Sequence, residues 1–400
     1  MSRQEPVSQW TVDVATHMPH LSPAHASVLA LWSLGMVLAR SCALTAVAVV
    51  LATWQCRKVN TVRQQLREFC YEGEAKRGDK RQAVPVEPCF APLLRWVVAG
   101  YAGSQIALAL DATTLGDRFV VLAISVVYRG CGIPVAWSIL PAGTKRAWRP
   151  EWLRLLGLLA PALPAGWTVI VLADRGLYAR WLFRAIVEQG WHPFLRVNLG
   201  GTFRPEGRAR FVPLRQFVPT VGQRWQGRGA AFSTNRLECT LLAYWAEGCA
   251  DPWLVLTDLA PDAADVGWYG LRAWIEHGFK LIKRGGWQWQ RTRMTDPARA
   301  SRLWLALAVA TLWLVRVGGA AEADIPESTL LALDEADLHL RRAPGRRLIS
   351  LFRRGWAALL AAVLQGAGWP PDQFQPEPWP LLPPQTPLAH PVLDDLPEAA

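Results

Sequence analysis

The sequence predicts an α/β fold with three parts: a helical N-terminal domain, a mixed core of strands and helices, and a β-rich insertion within that core. Three observations predict it. Residues 1–95 carry apolar runs with helical spacing. From residue 104 onward, short apolar runs of strand character alternate with helical segments. Between 198 and 262 the alternation gives way to Gly- and Arg-rich turns separated by short strand-like runs.

The core begins with three consecutive predicted strands. SQIALALDATTL contains Asp111 at its predicted end, and RFVVLAISVVYRG and IPVAWSILPAG follow after Gly-containing turns. A helix over 150–162, the apolar strand TVIVLAD ending in Asp174, a helix over 178–189 and the strand HPFLRVN complete the series. Three strands, a helix, a strand, a helix and a strand is the element order of an RNase H-like core.

Two long helices and a tail are predicted after the insertion. The helices cover about 264–284 and 297–317, and a Pro-rich tail follows Gly368. Basic patches precede this tail at Arg341, Arg342, Arg346, Arg347, Arg353 and Arg354. The predicted division is a helical domain at 1–95, the first part of the core at 96–197, the insertion at 198–262, the last part of the core at 263–320 and a C-terminal region at 321–400.

The net charge indicates the class of partner, and the cysteines indicate the compartment. The formal net charge of the 400 residues is +11 and the sequence pI is about 9.7. Such a balance fits a polyanionic partner, either nucleic acid or an anionic membrane surface. The seven cysteines form no C-x-x-C pair. This argues against a disulfide framework and a zinc site, and favours a reducing, cytoplasmic compartment.

Two apolar stretches are long enough to require a comparison with membrane spans. The first, 28–54, carries Arg40 and Ser41 at its centre. The second, 303–315, is shorter than the roughly 20 residues that a spanning helix needs. Both are therefore predicted to be buried helices, and no membrane partner is expected.

The most informative segment is YGLRAWIEHGFKLIKRGG, at 269–286. Five polar residues of this segment fall within an arc of roughly 80° when about 100° is counted per residue. They are Tyr269, Arg272, Glu276, Lys280 and Lys283. One helix thus presents a single carboxylate among cations and a phenol. The alternative is a solvated amphipathic face in which Arg272 and Glu276 form an ordinary i,i+4 pair.

Two aspartates at predicted strand ends complete a candidate metal site. An unpaired carboxylate is costly to desolvate at the end of a buried strand, and Asp111 and Asp174 both stand there. Two Mg²⁺ ions held by these two residues and Glu276 would remove that cost, and Mn²⁺ is expected to substitute. Each Asp taken alone could instead cap a turn or a helix. Asp117, in a predicted turn, is a weaker rival to Asp111.

The spacing Y-x2-R-x3-E-x6-K of Tyr269, Arg272, Glu276 and Lys283 resembles the signature of DDE-type bacterial insertion-sequence transposases. LALDATTL and VLADRGLYA look like the first and second acidic motifs of that family, and the likeness covers about 105–318. The resemblance implies an RNase H-like catalytic core with a β-rich insertion before the glutamate helix. It also implies that Tyr269, Arg272 and Lys283 contact DNA phosphates near the cleaved end, to which the neighbouring Lys280 is added as a DNA contact.

The resemblance leads to a functional hypothesis and its rivals. The expected reaction is metal-dependent hydrolysis at the ends of a mobile element, followed by 3′-hydroxyl strand transfer into target DNA. Double-stranded DNA is the expected partner, with a homodimer on the DNA and with residues 1–95 recognising the end. The alternatives are a non-catalytic DNA-binding protein derived from a transposase, an RNase H-fold nuclease without strand transfer, and a membrane-associated protein.

Three neighbours of Glu276 have two interpretations each. His277 is turned about 100° from the carboxylate, so that a DNA or partner contact is the less favoured interpretation. Trp287 and Trp289 are predicted to pack in the core, and stacking on a displaced base is their alternative.

Overall fold

The computed structural model describes residues 5–76, 81–101, 103–144, 147–323, 349–375 and 378–382. The predicted basic residues Arg341, Arg342, Arg346 and Arg347, and the part of the Pro-rich tail from 383 onward, lie outside the described residues.

Helices make up the N-terminal part of the chain and flank the strands of the core. Those in the described residues are α1 (Glu5–His17), α2 (Pro23–Ala39), α3 (Leu44–Gln55), α4 (Val59–Phe69), α5 (Phe90–Ala99), α6 (Arg149–Leu159), α7 (Arg180–Glu188), α8 (Ala273–Lys280), α9 (Pro297–Ala323) and α10 (Leu351–Gln365). The predicted helical character of the N-terminal region and the alternation of strands and helices after it are therefore confirmed.

One large mixed sheet runs through the molecule. Its strands are β1 (Gln105–Leu115), β2 (Phe119–Tyr128), β3 (Cys131–Pro141), β4 (Thr168–Ala173), β5 (His192–Arg196), β6 (Thr202–Pro205), β7 (Val212–Pro213), β8 (Arg224–Ala231), β9 (Leu237–Tyr244) and β10 (Trp253–Thr257). The strand order is β3-β2-β1-β4-β5-β10-β9-β8-β6-β7. The first five positions, with β4 parallel to β1 and β5 parallel to β4, fit an RNase H-like fold.

The segment predicted as a β-rich insertion extends this sheet. Strand β10 pairs antiparallel with β5, and β9, β8, β6 and β7 continue outward from it. The core strands are buried on both faces, which is why they read as continuous apolar runs.

Strand β1 is longer than predicted, because it does not end at Asp111. Its parallel pairing with β4 stops at Leu110 and Ala173, whereas its antiparallel pairing with β2 continues to Leu115 and Phe119. Pairing with β2 therefore keeps β1 in the sheet for four residues beyond Asp111.

Helix α9 is the central helix of the core. It extends to Ala323, beyond the predicted end at 317, and it is long and apolar enough to cross a membrane. In the 18-residue window that passes this test, 94% of the residues are buried inside the protein. Helices α2 and α10 pack against it, and Trp10 of α1 stacks on Trp313 at a centroid distance of 3.9 Å. The N-terminal helices thus share a core with the rest of the chain.

The other apolar stretch, 28–54, forms two helices rather than one. Helices α2 and α3 meet at 96°, and Arg40 between them has a left-handed backbone with φ of 50°.

Candidate active site

Two carboxylates of the site come from neighbouring parallel strands. Leu110 and Ala173 are the last paired residues of β1 and β4, so Asp111 and Asp174 are the next residue on each strand. Because parallel neighbours run in the same direction, both aspartates lie just beyond the end of the β1–β4 pairing, at the same edge. The two aspartates therefore lie side by side.

The face on which Asp111 lies follows from strand alternation. Asp111 pairs with Ala123, four residues before Val127, and Val127 pairs with Gly132. Side chains two or four apart on a strand share a face, as do directly paired residues. Asp111 and Gly132 therefore lie on the same face of the sheet, which is the face that α8 covers.

A pair of glycines allows α8 to approach that face closely. A Cβ at Gly278 would lie 2.9 Å from the carbonyl oxygen of Gly132, and a Cβ at Gly132 would lie 3.0 Å from the carbonyl oxygen of Trp274. Only residues without side chains fit this contact. Both positioning residues were missed by sequence reasoning, although a glycine in the middle of a predicted helix is a signal of close packing.

The segment that carries Glu276 is not the single helix predicted over 264–284. A 3₁₀ helix covers Val266–Arg272, α8 follows, and a π-helical turn covers Leu281–Gly285. Gly267 and Gly270 lower α-helix propensity in the first part, and the Asp265 carboxylate accepts a hydrogen bond from the Gly267 N–H at 2.7 Å. The spacing of 100° per residue therefore does not extend back to Tyr269.

All three predicted carboxylates converge on one guanidinium, that of Arg272. Its Nη2 lies 2.9 Å from Oδ2 of Asp111 and 3.3 Å from Oδ2 of Asp174, and its Nη1 donates to Oε1 of Glu276. The Arg272 side chain is only 13% exposed. The i,i+4 pair of Arg272 and Glu276 does form, but as part of a cluster of four charged residues that we call the carboxylate clamp.

Each aspartate of the clamp is also held by the backbone. The Asp111 Oδ1 accepts a hydrogen bond from the N–H of Ala112 at 2.7 Å, and the Asp174 Oδ1 accepts one from the N–H of Gly176 at 2.8 Å. Burial raises the pKa of Asp111 to about 6, and the two neighbouring carboxylates act in the same direction, while Arg272 and the Ala112 N–H act against the shift. The clamp thus orients one oxygen of each aspartate toward Arg272.

The predicted DNA-contacting residues occupy three different environments. The Lys283 Nζ donates to Thr113 Oγ1 at 2.5 Å, and burial lowers the pKa of this lysine. Lys280 is exposed. Tyr269 is only 5% exposed, its ring meets the edge of Trp253, and burial raises the pKa of its phenol to about 12. Tyr269 therefore lies inside the core in this structure, and DNA contact by these residues stays a prediction.

The remaining candidates near the glutamate lie outside the clamp. Asp117 is exposed in the turn between β1 and β2, four strand positions and a turn away from Asp111. The His277 Nδ1 faces the carbonyl oxygen of Gly130 at 3.4 Å. Trp287 and Trp289 are fully buried, which confirms their predicted role in core packing.

The clamp contains the type of ligand atom that binds a divalent cation. Carboxylate oxygens are the ligands that Mg²⁺ and Mn²⁺ prefer. In the part of the chain that the structure describes, no three Asp, Glu, His or Cys side chains are grouped tightly enough to hold a metal ion. The three carboxylates are joined instead through Arg272, so a shared metal ion requires this guanidinium to move away from them.

Comparisons with known proteins relate part of the chain to a transposase domain. Residues 126–313 match the family model of the transposase DDE domain, and this match supports a DDE-type transposase. The matched segment is slightly less than half of the chain; it contains Asp174 and Glu276 and begins after Asp111. A comparison with curated proteins finds no match. Among solved structures, a piggyBac transposase synaptic complex with hairpin DNA, determined by cryo-EM, shares 11% identity over 90% of this chain and 79% of that chain, with a TM-score of 0.37.

Proposed function

We propose that this chain is a DDE-type DNA transposase of the insertion-sequence kind. It hydrolyses phosphodiester bonds at the ends of a mobile element in a metal-dependent reaction and joins the freed 3′-hydroxyl to target DNA. The observation that carries the proposal is the convergence of Asp111, Asp174 and Glu276 on one point beside the sheet. The match of residues 126–313 to a transposase DDE domain supports it independently.

The three carboxylates are the residues that would hold two divalent ions, Mg²⁺ or in its place Mn²⁺. Bound there, the ions would activate the attacking water or hydroxyl and stabilise the leaving oxygen. The protein's own contribution is orientation. Hydrogen bonds from the N–H groups of Ala112 and Gly176 fix the two aspartates, and the glycine contact between Gly132 and Gly278 brings α8 and Glu276 to the sheet.

The cations around the carboxylates are assigned to DNA phosphates. A guanidinium released from the clamp can bind a phosphate with two parallel hydrogen bonds, so Arg272 can exchange carboxylates for phosphate oxygens. Lys283 lies beside Thr113, two residues beyond Asp111, and supplies a point charge close to the reacting phosphate. Exposed Lys280 extends this positive surface along α8.

The partner in the proposal is double-stranded DNA, both as the element ends and as the target. Transposition joins two ends, so a homodimer assembled on the DNA is the expected active form. The N-terminal helices are assigned to recognition of the end sequence.

A second candidate function is a non-catalytic DNA-binding protein derived from a transposase. It is favoured by one observation, namely that Arg272 already forms an ion pair with each of the three carboxylates. In such a protein the clamp would be a structural ion-pair cluster, and no metal would bind there.

The first test is cleavage of plasmid DNA that carries the gene's own flanking sequence, with Mg²⁺ or Mn²⁺. Glu276→Gln removes one proposed metal ligand, and Asp117→Asn is the matched control because it removes a carboxylate from the exposed turn. We expect cleavage at the element ends by the wild type and the control, and at least a hundredfold less by Glu276→Gln, because loss of a catalytic electrostatic group costs about this much.

Two other outcomes have clear meanings. Equal cleavage by the wild type and Glu276→Gln would remove Glu276 from the site and contradict the proposal. DNA binding without cleavage by either protein, together with no Mn²⁺ binding in a titration, would establish the non-catalytic alternative.

A further inference from the structure

A second concave, charged surface lies between the N-terminal helices and the loop that follows the glutamate segment. It is a cavity of about 580 Å³ lined by the first turn of α3, by α4 and by residues 291–299. Five arginines line it, against the single carboxylate of Asp296. They are Arg63, Arg67, Arg291, Arg293 and Arg299. We call this surface the basic groove.

The arginines of the basic groove have no ion-pair partner in the part of the chain that the structure describes. Among the described residues, none of the five forms an ion pair with a carboxylate. The Asp296 carboxylate instead accepts a hydrogen bond from the backbone N–H of Arg299 at 2.9 Å, at the start of α9. Since like charges in one concave surface repel each other, this arrangement is stabilised by an anion from outside.

Two of the arginines are positioned by an aromatic ring. The guanidinium of Arg299 lies 4.3 Å from the ring centroid of Tyr71, and that of Arg67 lies 5.2 Å from it. Stacking of this kind reduces the freedom of a long side chain before any ligand binds. The Nε of Arg299 is buried without a hydrogen-bond partner.

The start of α3 adds backbone donors to the groove. Leu44 and Thr45, in the first turn of α3, line the cavity, and the N-cap residue Ala43 makes no side-chain hydrogen bond to that turn. Free N–H groups at a helix N-terminus favour a phosphate or another anion. The groove therefore combines fixed guanidinium groups with backbone N–H groups.

A second cavity adjoins the basic groove on the side of the π-helical turn that follows α8. That cavity, of about 530 Å³, shares Ala43 and Arg291 with the groove and reaches Gly285 and Gly286 at the end of the π-helical turn. Arg40 lines it as well, with its guanidinium 4.8 Å from the ring centroid of Trp356. The π-helical turn also carries Lys283, which donates to Thr113 near the clamp, so one short segment adjoins both the clamp and the second cavity.

The loop of the groove is braced against the strand that carries Asp111. Arg118, in the turn after β1, donates to the carbonyl oxygens of Gln290 at 3.3 Å and Met294 at 3.1 Å, and also to that of Thr292. Arg291 and Arg293 lie between these braced positions.

We propose that the basic groove binds the phosphate backbone of duplex DNA whose cleaved end lies at the carboxylate clamp. The inference rests on the proposed function, because it takes the ligand to be the DNA on which the clamp acts. The role assigned to the groove is phosphate binding, since guanidinium and backbone N–H groups at a concave surface match phosphate oxygens. Phosphate contacts supply affinity and position and carry no sequence information directly.

The test is the salt dependence of binding to a fluorescein-labelled duplex taken from the gene's own flanking sequence. Fluorescence anisotropy is measured in EDTA, so that cleavage does not interfere. Two groove variants, Arg63→Gln/Arg67→Gln and Arg291→Gln/Arg293→Gln, are compared with Arg95→Gln/Arg184→Gln. The control removes the same charge from exposed arginines on α5 and α7, outside the groove.

Each phosphate contact contributes about 0.9 to the slope of log K against log salt concentration. We expect the slope to fall by about 2 in each groove variant and to stay unchanged in the control. Unchanged slopes in both groove variants would overturn the inference, as would binding of the wild type to anionic vesicles but not to the duplex.

Parallel cleavage assays separate this inference from the proposed function. Wild-type protein that cleaves the element ends, with unchanged slopes in the groove variants, would overturn the groove alone. Groove-dependent binding to DNA without cleavage or metal binding would support the groove while contradicting the transposase activity.

Discussion

The carboxylate clamp and the basic groove both concentrate charged side chains, but they differ in whether those charges are paired within the protein. In the clamp, three carboxylates surround one largely buried guanidinium and are paired internally. In the groove, five arginines face one carboxylate and none of them is ion-paired within the described residues. The first arrangement pairs its charges without a ligand, and the proposed role of the second is to bind a ligand that brings negative charge.

This difference distinguishes residues that contribute to folding stability from residues that are available to bind a partner. A buried charge that loses its partner is strongly destabilising, whereas an exposed and unpaired arginine contributes little to folding. Substitutions in the two regions should therefore affect stability and DNA binding in opposite proportions.

The largest effect on stability is expected for Arg272→Gln. Removing the guanidinium leaves the Asp111 carboxylate buried beside two other carboxylates, which costs about 3 kcal/mol, the lower end for a broken buried ion pair. Urea denaturation without metal measures this loss. Arg175→Gln is the control, since its single ion pair with Asp251 is exposed and is worth less than about 1 kcal/mol.

Metal binding provides a second comparison between the Arg272→Gln protein and the wild type. If Asp111, Asp174 and Glu276 bind a divalent cation, Mg²⁺ should restore stability to the Arg272→Gln protein and add less to the wild type, in which Arg272 competes. Equal stabilisation of both proteins by Mg²⁺ would show that the metal binds elsewhere.

A smaller effect is expected for Gly278→Ala. The new Cβ would stand 2.9 Å from the Gly132 carbonyl oxygen, so α8 must shift away from the sheet at a cost of about 1–3 kcal/mol. Thermal unfolding measures the sign of the change in stability. DNA cleavage should also decrease, because Glu276 moves with α8.

Gly157→Ala is the matched control for that substitution. Gly157 is also within a helix, α6, but a Cβ there would meet nothing within 4 Å. This control should gain roughly 0.5–1 kcal/mol, since alanine favours a helix over glycine. A loss of stability in both proteins would refute the close contact between α8 and the sheet as the cause.

The smallest effect on stability is expected for Arg63→Gln/Arg67→Gln. These side chains are exposed and form no ion pair with any described residue, so the free energy of unfolding should change by less than about 0.5 kcal/mol. Denaturation in urea checks this value. A loss as large as that of Arg272→Gln would mean that the groove is structural, and the contrast between the two regions would fail.

The sequence was sufficient for those parts of the site that depend on local pattern. Asp111 and Asp174 lie side by side because both follow paired positions of parallel strands, and Glu276 lies on a helix with a buried apolar face. The burial of Trp287 and Trp289 also follows from their apolar rings.

Features that depend on contacts between distant segments could not be predicted in this way. Helical spacing placed Arg272 and Tyr269 on one exposed stripe, but the two glycines before Arg272 give a 3₁₀ helix that turns Tyr269 into the core. The basic groove joins residues near 65 to residues near 295, and the stacking of Trp10 on Trp313 joins α1 to α9. No periodicity within one segment reports such pairings.

The brace formed by Arg118 has a geometric consequence for the proposed reaction. One side chain ties the hairpin that carries Asp111 to the loop that carries Arg291 and Arg293, so the proposed cleavage site and the proposed DNA-binding groove would be held at a constant separation. A duplex held in the groove would then meet the carboxylates at a fixed number of nucleotides from where it is held. The distance between the groove and the carboxylates would therefore determine the position of the cut along the DNA.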